Sequence, residues 1–381
     1  MHIDISQTHT SIPVPEVYSY DGSSDDDIGM PYILQSRAAG RSLGSYEWSQ
    51  PEQRVKGYQH REPRLPLTKK DRDKVMNQLV AILSELCDHP FDEIGSLFRD
   101  ASGKYFIGEC LSPSFTWQKR DSLQLDRGRY HEEHDYLKTL ILAFTSHAQE
   151  LSLSPHTFFA PVPDMVEYKS IDSYRAAGKR WNEFVAIGQK VDHSKNVLFY
   201  CIAGRFLLEM IPHLCLGTNK RFTLSHPDLH VGNIFVDDDF NITCIIDWSS
   251  TSSGPITEVL GTPSLGGSAA PPSASLVAAF RSGFIKRAVQ VISELSRSNL
   301  WEKSNKMWYF SRLVRLLSKN DYQHLRKLFE VVYKASDKET EETKSFLSSY
   351  SKRIEQQKKC RRWSGLVFLP AKLQTQTSSL W

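Results

Sequence analysis

The sequence lacks the features that identify secreted, membrane-spanning and metal-cluster proteins. Its six cysteines are scattered without a C-x-x-C pair, so neither a disulfide framework nor a zinc site is indicated. The most apolar long stretch, Val197 to Leu216, contains Arg205, Glu209 and Pro212, which argues against a membrane-spanning helix there. The first residues contain no basic segment followed by an apolar one, as a secretory signal would. We therefore expect a cytoplasmic protein with reduced thiols.

An excess of charge of either sign is also missing. The 47 Lys and Arg residues and the 44 Asp and Glu residues leave a net charge of +3, so no preference of the whole chain for nucleic acid or membrane is expected. One local basic cluster lies near the C-terminus and consists of Lys352, Arg353, Lys358, Lys359, Arg361 and Arg362. It would contact nucleic acid, serve as a nuclear address or form a solvated helix end. We favour the helix end, because no recognition motif accompanies the cluster.

The pattern of apolar residues predicts a small β-containing piece followed by a mostly helical body. Alternation indicates the strands, and apolar residues at helical spacing indicate the helices. The predicted elements are strands at Val17–Tyr20 and Pro31–Leu34, a helix from Asp71 to before Pro90, a hairpin within Ile94–Gly108, a helix at His131–Gln149, helical segments at Phe184–Ile187 and Val197–Ile211, an exposed loop at Ser249–Ser275, helices at Leu276–Arg297, Lys303–Ser318 and Tyr322–Ser336, a solvated helix at Asp337–Lys359 and a tail at Trp363–Trp381.

Between the helical segments lies one stretch whose residues indicate chemistry, LSHPDLHVGNIFVDDDFNITCIIDW from Leu224 to Trp248. His226, Asp228 and Asn233 follow the spacing H-x-D-L-x-x-x-N of a kinase catalytic loop. Asp247 comes fourteen residues after the Asn, at the end of an apolar run, where a second metal-binding residue is expected. The four residues together therefore predict a phosphoryl-transfer site.

The second half of this stretch predicts a hairpin. Asn233–Asp237 and Asn241–Ile246 have the composition of short strands, and Asp238–Phe240 supplies the turn. Such a hairpin brings Asn233, at its start, beside Asp247, at its end. An amide oxygen and a carboxylate are hard oxygen ligands that suit Mg²⁺.

Two further roles follow from the loop that precedes the hairpin. Asp228 could accept the proton of an attacking hydroxyl, and His226 would hold the loop by hydrogen bonds to neighbouring backbone. Each residue taken alone has a simpler interpretation: His226 as a core histidine, Asp237–Asp239 as a solvated turn, and Asp247 as a cap after its strand. The joint spacing and the predicted strand–turn–strand context favour the site.

The same stretch resembles the aminoglycoside phosphotransferase and choline kinase-like family, particularly its fungal members. Further segments with this resemblance, which spans most of residues 12 to 300, are Ile12–Tyr18, Gly29–Leu34, Gly40–Leu43, Ile94–Leu97 and Leu125–Gly128. The resemblance implies an α+β, protein-kinase-like fold with an incomplete N-terminal β lobe and a mostly helical C-terminal lobe. It implies a lobe remnant with hinge at 1–36, the helical lobe at 37–362 and a tail at 363–381.

The resemblance also implies an activity, which is transfer of a phosphoryl group from ATP, with Mg²⁺, to a hydroxyl of a small molecule. Asp228 matches the catalytic base of the family, with His226 beside it, and Asn233 and Asp247 match the metal ligands. The hinge whose backbone receives adenine falls on three consecutive residues, Gln35, Ser36 and Arg37. Neither a nucleic acid nor a membrane is an expected partner.

The chain departs from the family upstream of the hinge. Kinase-like enzymes use a glycine-rich loop, a strand lysine and a helix glutamate to hold the nucleotide phosphates, and these should precede Ile12. The eleven residues before Ile12 contain neither lysine nor glycine. Three hypotheses follow. The protein is an active small-molecule kinase whose true N-terminus was lost from this sequence, a kinase-like protein that binds a ligand or partner without turnover, or a structural protein with a vestigial motif.

Overall fold

The computed structural model describes residues 10–23, 29–48, 64–151, 165–179, 194–217, 221–263, 265, 272–287, 298–315, 317 and 321–333. The chain divides into two compact units, residues 1–328 and 329–381, and every candidate site residue belongs to the first unit. The predictions for 184–187, for 337–359, for the basic cluster and for the tail at 363–381 lie outside the described residues. The predicted domain boundaries stay predictions.

The described strands form three antiparallel sheets. The first pairs β1 with β2, the second has the order β3-β7-β8, and the third has the order β5-β4-β9-β6. The strands are β1 (Val17–Asp21), β2 (Tyr32–Gln35), β3 (Arg41–Ser42), β4 (Gly95–Arg99), β5 (Tyr105–Ile107), β6 (Thr223–Ser225), β7 (Ile234–Val236), β8 (Ile242–Ile245) and β9 (Ser252–Gly254). The predicted hairpins around Ser102–Gly103 and Asp238–Phe240 are confirmed.

Helices make up most of the rest, so the predicted α+β class is confirmed. The longest of them follow the predicted apolar periodicity within a few residues at each end. The helices are α1 (Lys69–Cys87), α2 (Pro113–Thr116), α3 (Glu133–Glu150), α4 (171–179), α5 (Ser194–Leu214), α6 (Ile256–Val259), α7 (Ala274–Arg287), α8 (Ser298–Arg315) and α9 (Asp321–Val332). No described helix is long and apolar enough to cross a membrane.

Helix α1 is the centre of the core that supports the site. It begins at a capping box, in which the Thr68 hydroxyl accepts the Asp71 N–H and the Asp71 carboxylate accepts the Thr68 N–H. The apolar residues that recur at helical spacing are all buried, namely Val75, Leu79, Ile82, Leu83 and Leu86. They belong to one hydrophobic cluster with Ile234 and Ile245 of the β7–β8 hairpin and with Phe280 of α7. The hairpin is therefore packed against a long helix.

The predicted exposed loop at 249–275 is wrong in its first part. Strand β9 and helix α6 lie there, and Ser252 and Ser253 are buried. The composition indicated a loop because serine is usually exposed. Here the Ser253 hydroxyl donates to the Glu93 carbonyl oxygen at 2.6 Å and accepts the Gly95 N–H at 3.1 Å. These bonds satisfy the buried hydroxyl and attach β9 to β4.

Candidate active site

The His226 ring connects the two halves of the candidate site. Its Nδ1 accepts the Asp228 N–H at 3.2 Å, and its Nε2 lies 2.9 Å from the Ile246 carbonyl oxygen. Because a carbonyl oxygen can only accept, Nε2 carries the proton and donates. Because Nδ1 accepts a hydrogen bond, it carries no proton, so the ring is neutral. Burial lowers the pKa of His226 below its ordinary value, which favours this neutral form. The edge-to-face contact with Trp248, at 4.8 Å between ring centroids, fixes the ring plane.

Asn233 stands where the loop becomes strand β7. Its side-chain Nδ2 donates to the Asp228 carbonyl oxygen at 3.0 Å, and its own carbonyl oxygen accepts the Ile246 N–H at 3.0 Å. Because Nδ2 is committed to the loop, the orientation of the amide leaves Oδ1 as the atom for a ligand. The hairpin register, in which Ile234 pairs with Ile245, places Asn233 across from the residue that precedes Asp247.

Asp247 adopts a left-handed backbone conformation with φ of 67°. That conformation costs about 1 kcal/mol for a residue other than glycine, so its surroundings must hold it. The Trp248 Nε1 donates to the Ile245 carbonyl oxygen at 2.8 Å, and the Ser249 hydroxyl donates to Asp247 Oδ1 at 2.9 Å. At Asp247 the chain thus turns sharply away from the direction of β8.

The hairpin turn is closed by Asp237, which is not among the predicted site residues. Its carboxylate accepts the Asn241 side-chain amide at 2.8 Å and the backbone N–H groups of Asn241 and Asp239 at 2.8 and 3.0 Å. These bonds, that from the Asn241 side chain foremost, hold the pKa of Asp237 below its ordinary value. The simpler interpretation of this acidic run as a solvated turn therefore suits Asp237.

Asp228 makes ion-pair contacts that the sequence did not indicate. Its Oδ1 lies 3.1 Å from a guanidinium nitrogen of Arg315, at the end of α8, and its Oδ2 lies 3.6 Å from His230 Nε2. Arg315 also donates to the Pro227 carbonyl oxygen at 3.0 Å and lies over the Trp117 ring. A residue almost ninety positions downstream therefore holds the predicted base.

The predicted hinge, residues Gln35, Ser36 and Arg37, lies at and just after the end of β2. The Ser36 N–H donates to the Glu16 carbonyl oxygen at 2.7 Å, and the Ser36 hydroxyl accepts the Glu16 N–H at 2.9 Å. The Ser36 amide is thus engaged within the β1–β2 hairpin. The structure does not bring the hinge side chains into the hydrogen-bond network around Asp228.

The segment after the hinge does contact the site hairpin. The Ala39 carbonyl oxygen accepts the Thr243 hydroxyl of β8 at 2.6 Å. Gly40 has φ of 87°, and a Cβ there would overlap the Val236 carbonyl oxygen, so glycine is required. The Ser42 hydroxyl then donates to the Val231 carbonyl oxygen at 3.1 Å. Residues 39–44 therefore brace the loop and the hairpin together.

Oxygen atoms of Asn233 and Asp247 fit the Mg²⁺ that the resemblance implies. Asn233 has its Nδ2 bound elsewhere, and Asp247 directly follows Ile246, which lies across from Asn233 at the end of the same hairpin. Among the described residues, no group of three or more His, Cys, Asp and Glu side chains could hold a metal ion by itself. The remaining ligands would have to come from nucleotide phosphates and water, as in kinases generally. The metal-ligand assignment stays a prediction.

Sequence reasoning missed Arg120, which fixes the end of α8 and hence Arg315. Arg120 is completely buried, and its Nη1 donates to the carbonyl oxygens of Val314 and Arg315 at 2.6 and 3.0 Å. Its Nε donates to His147 at 3.0 Å. Burial lowers the pKa of Arg120 to about 10, which still leaves it protonated near neutral pH. No local pattern could signal it, since its partners lie up to 195 residues away.

Comparison with known proteins adds to this geometry. Residues 190–282 match the model of the phosphotransferase enzyme family. His226, Asp228, Asn233 and Asp247 all lie within the matched residues, where the predicted resemblance to this family is confirmed. The hinge residues and Arg315 lie outside the matched range.

Two curated relatives of this chain come from a fungus. The chain is 25% identical over 272 residues to subtelomeric hrmA-associated cluster proteins from two strains of Aspergillus fumigatus, a match that covers 66% of this chain and 49% of each relative. It thus spans about half the length of these curated relatives. Among solved structures, the chain is similar to a thermostable mutant of aminoglycoside phosphotransferase APH(4)-Ia in its apo form, with 14% identity, a TM-score of 0.42, and coverage of 88% of this chain and 82% of that chain. It is also similar to a thermostable mutant of the same protein in complex with AMP-PNP and hygromycin B, with 13% identity, a TM-score of 0.42, and coverage of 88% of this chain and 82% of that chain.

Proposed function

We propose that the protein transfers a phosphoryl group from ATP, with Mg²⁺, to a hydroxyl of a small molecule. The observation that carries the proposal is the hydrogen-bonded unit of the loop and the hairpin. His226 bonds to Asp228 on one side and to Ile246 on the other, and Asn233 bonds to the Asp228 carbonyl oxygen. Asp228, Asn233 and Asp247 have oxygen-bearing side chains at the spacing of a kinase site. The hydrogen bonds join the loop and the hairpin into one unit, which lies within the residues that match the phosphotransferase family. Both observations support phosphoryl transfer.

In this proposal Asp228 accepts the proton of the attacking hydroxyl, and Asn233 and Asp247 hold the metal ion. Mg²⁺, when bound, would neutralise the negative charge of the nucleotide phosphates. His226 does not exchange protons with the substrate, because both of its ring nitrogens are bound to backbone. Its role is to fix the position of Asp228 relative to Asp247. General base catalysis of this kind contributes roughly 10²–10⁴-fold in rate.

Adenine would bind along the hinge at Gln35, Ser36 and Arg37. Because the Ser36 N–H is already bound to Glu16, the contact would fall on its neighbours. We further propose that the reaction occurs in the cytoplasm, since the described cysteines Cys87, Cys110, Cys201, Cys215 and Cys244 are free thiols, as is usual in a reducing compartment.

One observation favours a second candidate, a kinase-like protein that binds a ligand or partner without turnover. The Arg315 guanidinium lies 3.1 Å from Asp228 Oδ1. The guanidinium thereby engages a carboxylate oxygen that would otherwise accept the proton of the hydroxyl.

Nucleotide binding is tested first, by thermal unfolding of the full chain with and without ATP and Mg²⁺. Binding at a hundred times the Kd stabilises a protein by about 2.7 kcal/mol, which raises the Tm measurably. Asp247→Asn should abolish the Mg²⁺-dependent part of the shift. The matched control is Asp239→Asn, at the exposed tip of the same hairpin, which should keep the full shift. No shift in the unmodified chain would refute phosphoryl transfer from ATP.

Turnover separates the two candidates. Transfer of radiolabelled γ-phosphate to a panel of hydroxylated small molecules is expected for the unmodified chain. Asp228→Asn should keep the thermal shift with MgATP but lower the transfer rate by roughly 10²–10⁴-fold. A chain that binds MgATP and transfers no label to any acceptor would favour the binding protein.

A further inference from the structure

A cavity of about 370 Å³ lies next to the catalytic loop. His226 and Pro227 line it on the loop side, and Trp308, Arg312 and Arg315 line it on the side of α8. Its volume is that of a site for a small molecule. Arg315 is both a lining residue and the ion-pair partner of Asp228. Any molecule in the cavity that contacts Arg315 therefore lies close to the predicted base.

The charge of the cavity is positive. Arg312 keeps its charge near neutral pH, although burial lowers its pKa to about 10, and it lies 4.4 Å from the centroid of the Trp308 ring. His324, also in the lining, is kept neutral, because burial foremost and then the charge of Arg312 lower its pKa. The acid in the lining is Glu258, whose pKa burial raises to about 7. The cavity lining thus contains two arginines and one carboxyl group with a raised pKa.

Buried donors in the lining lack partners. Among the described residues, the Arg315 Nε and the Ser311 hydroxyl are buried without a hydrogen-bond partner. Buried polar atoms in native proteins are nearly always paired, so two such donors on one cavity wall point to a ligand that accepts hydrogen bonds. Both residues lie in the last turns of α8, whose final carbonyl groups are fixed by the buried Arg120.

On the basis of the proposed function, we infer that the cavity binds the acceptor molecule through an anionic group. This group is a carboxylate or a phosphate, and Arg312 and Arg315 hold it. Planar guanidinium groups suit both anions because they donate two parallel hydrogen bonds. The anion would also compete with Asp228 for Arg315. The acceptor itself would thereby free the carboxylate oxygen that Arg315 engages. Without an acceptor, Asp228 stays paired, which keeps water from being used as the acceptor.

The experiment compares three six-carbon polyols that differ at one end, D-gluconate (anionic), D-sorbitol (neutral) and D-glucamine (cationic), by calorimetric titration into the full chain. D-Sorbitol 6-phosphate is the fourth ligand and distinguishes a phosphate site from a carboxylate site. We expect one of the two anions to bind roughly 10–100-fold more tightly than sorbitol, as a hydrogen-bonded charge pair does. Equal binding, a preference for glucamine, or no binding of either anion would overturn the inference.

Variants assign the preference to the arginines. Arg312→Gln should reduce the affinity for the anion to that for sorbitol, while Arg312→Lys should keep part of the difference. The matched control is Arg129→Gln, because Arg129 is an exposed arginine outside the cavity, where it pairs with Glu93 at 3.3 Å. An unchanged preference in Arg312→Gln would refute the site. Circular dichroism checks that each variant is folded.

Thermal unfolding with MgATP separates this inference from the proposed function. An anion preference that depends on Arg312, in a chain that does not bind MgATP, would leave the cavity assignment standing and refute the kinase. Binding of MgATP with no anion preference would refute only the anionic acceptor.

Discussion

Two hairpins in this protein have the same two-stranded form and opposite surroundings. In the hinge hairpin, β1–β2, the side chains of Tyr18, Ile33 and Leu34 are more than half exposed. In the site hairpin, β7–β8, Ile234 and Ile245 are at most 1% exposed and belong to the main hydrophobic cluster. An isolated hairpin is marginally stable in water. The protein therefore holds the predicted metal ligands rigidly and the predicted adenine contact loosely.

The difference has a chemical meaning. Positions of a base and a metal ligand must be kept within fractions of an ångström, and the site hairpin achieves this through burial and through the His226 hydrogen bonds. The predicted adenine contact at the hinge uses backbone groups. An extended strand is enough to present such groups. Three experiments follow, of which the first and the third compare the two hairpins and the second probes a buried helix; the changes that we expect decrease in size from the first to the third.

The largest effect should come from shortening matched isoleucines in the two hairpins. Ile245→Ala leaves a cavity against α1 and should lower the free energy of unfolding by about 2–5 kcal/mol. Ile33→Ala, on the exposed hinge hairpin, should change it by less than about 0.5 kcal/mol. Urea unfolding followed by circular dichroism measures both. Equal losses would mean that the hinge hairpin is as well supported as the site hairpin.

A medium effect should appear in the pH dependence of the free energy of unfolding, through the buried Glu133 at the start of helix α3. Burial raises the pKa of Glu133 from 4.5 to about 7, although its carboxylate accepts the Leu216 N–H at 2.7 Å. The folded state therefore holds a proton that the unfolded state releases above pH 4.5. The stabilisation is complete below pH 4.5 and is lost as the pH rises to about 7.

Glu133→Gln tests this by removing the titration while keeping an acceptor for Leu216. We expect the variant to match the parent protein at pH 4.5 and to exceed its unfolding free energy above pH 7, by up to about 3 kcal/mol. Urea unfolding at a series of pH values gives both curves. Curves that stay parallel over the whole range would show that Glu133 is not protonated in the folded state.

The smallest effect should come from the hinge itself. Ser36→Ala removes the hydroxyl that accepts the Glu16 N–H at 2.9 Å in an exposed position. An exposed hydrogen bond contributes about 0.5 kcal/mol, so global stability should hardly change. Hydrogen exchange of the Glu16 amide should become faster, while exchange in β7–β8 stays the same. Faster exchange in the site hairpin or a large loss of stability would contradict the separation of the two hairpins.

Much of the fold could be predicted from local patterns. The inner face of α1, from Val75 to Leu86, follows helical spacing, and the spacing of the central stretch predicted the ends of the site hairpin at Asn233 and Asp247. These features depend on neighbours within one turn or one hairpin. They can therefore be recognised in a single sequence.

The features that escaped prediction depend on distant partners. Strand β9 has a loop-like composition and forms only because Ser253 bonds to Glu93 and Gly95, about 160 residues earlier. Arg315 contacts Asp228 across 87 residues of chain, and its place at the end of α8 depends on Arg120, buried 195 residues before it. Neither arginine differs locally from a surface residue, so no spacing rule could select them.

The path of the chain through the two larger sheets bears on the order of folding. The central stretch leaves the third sheet at β6, forms β7 and β8 in the second, and returns to the third as β9. Both attachments join residues far apart, 158 positions for Gly95 and Ser253 and 189 for Ser42 and Val231. Closing such long loops is slow, and helices with local contacts form earlier. We therefore expect the site hairpin to be completed late in folding, after helices α1 and α7 have formed.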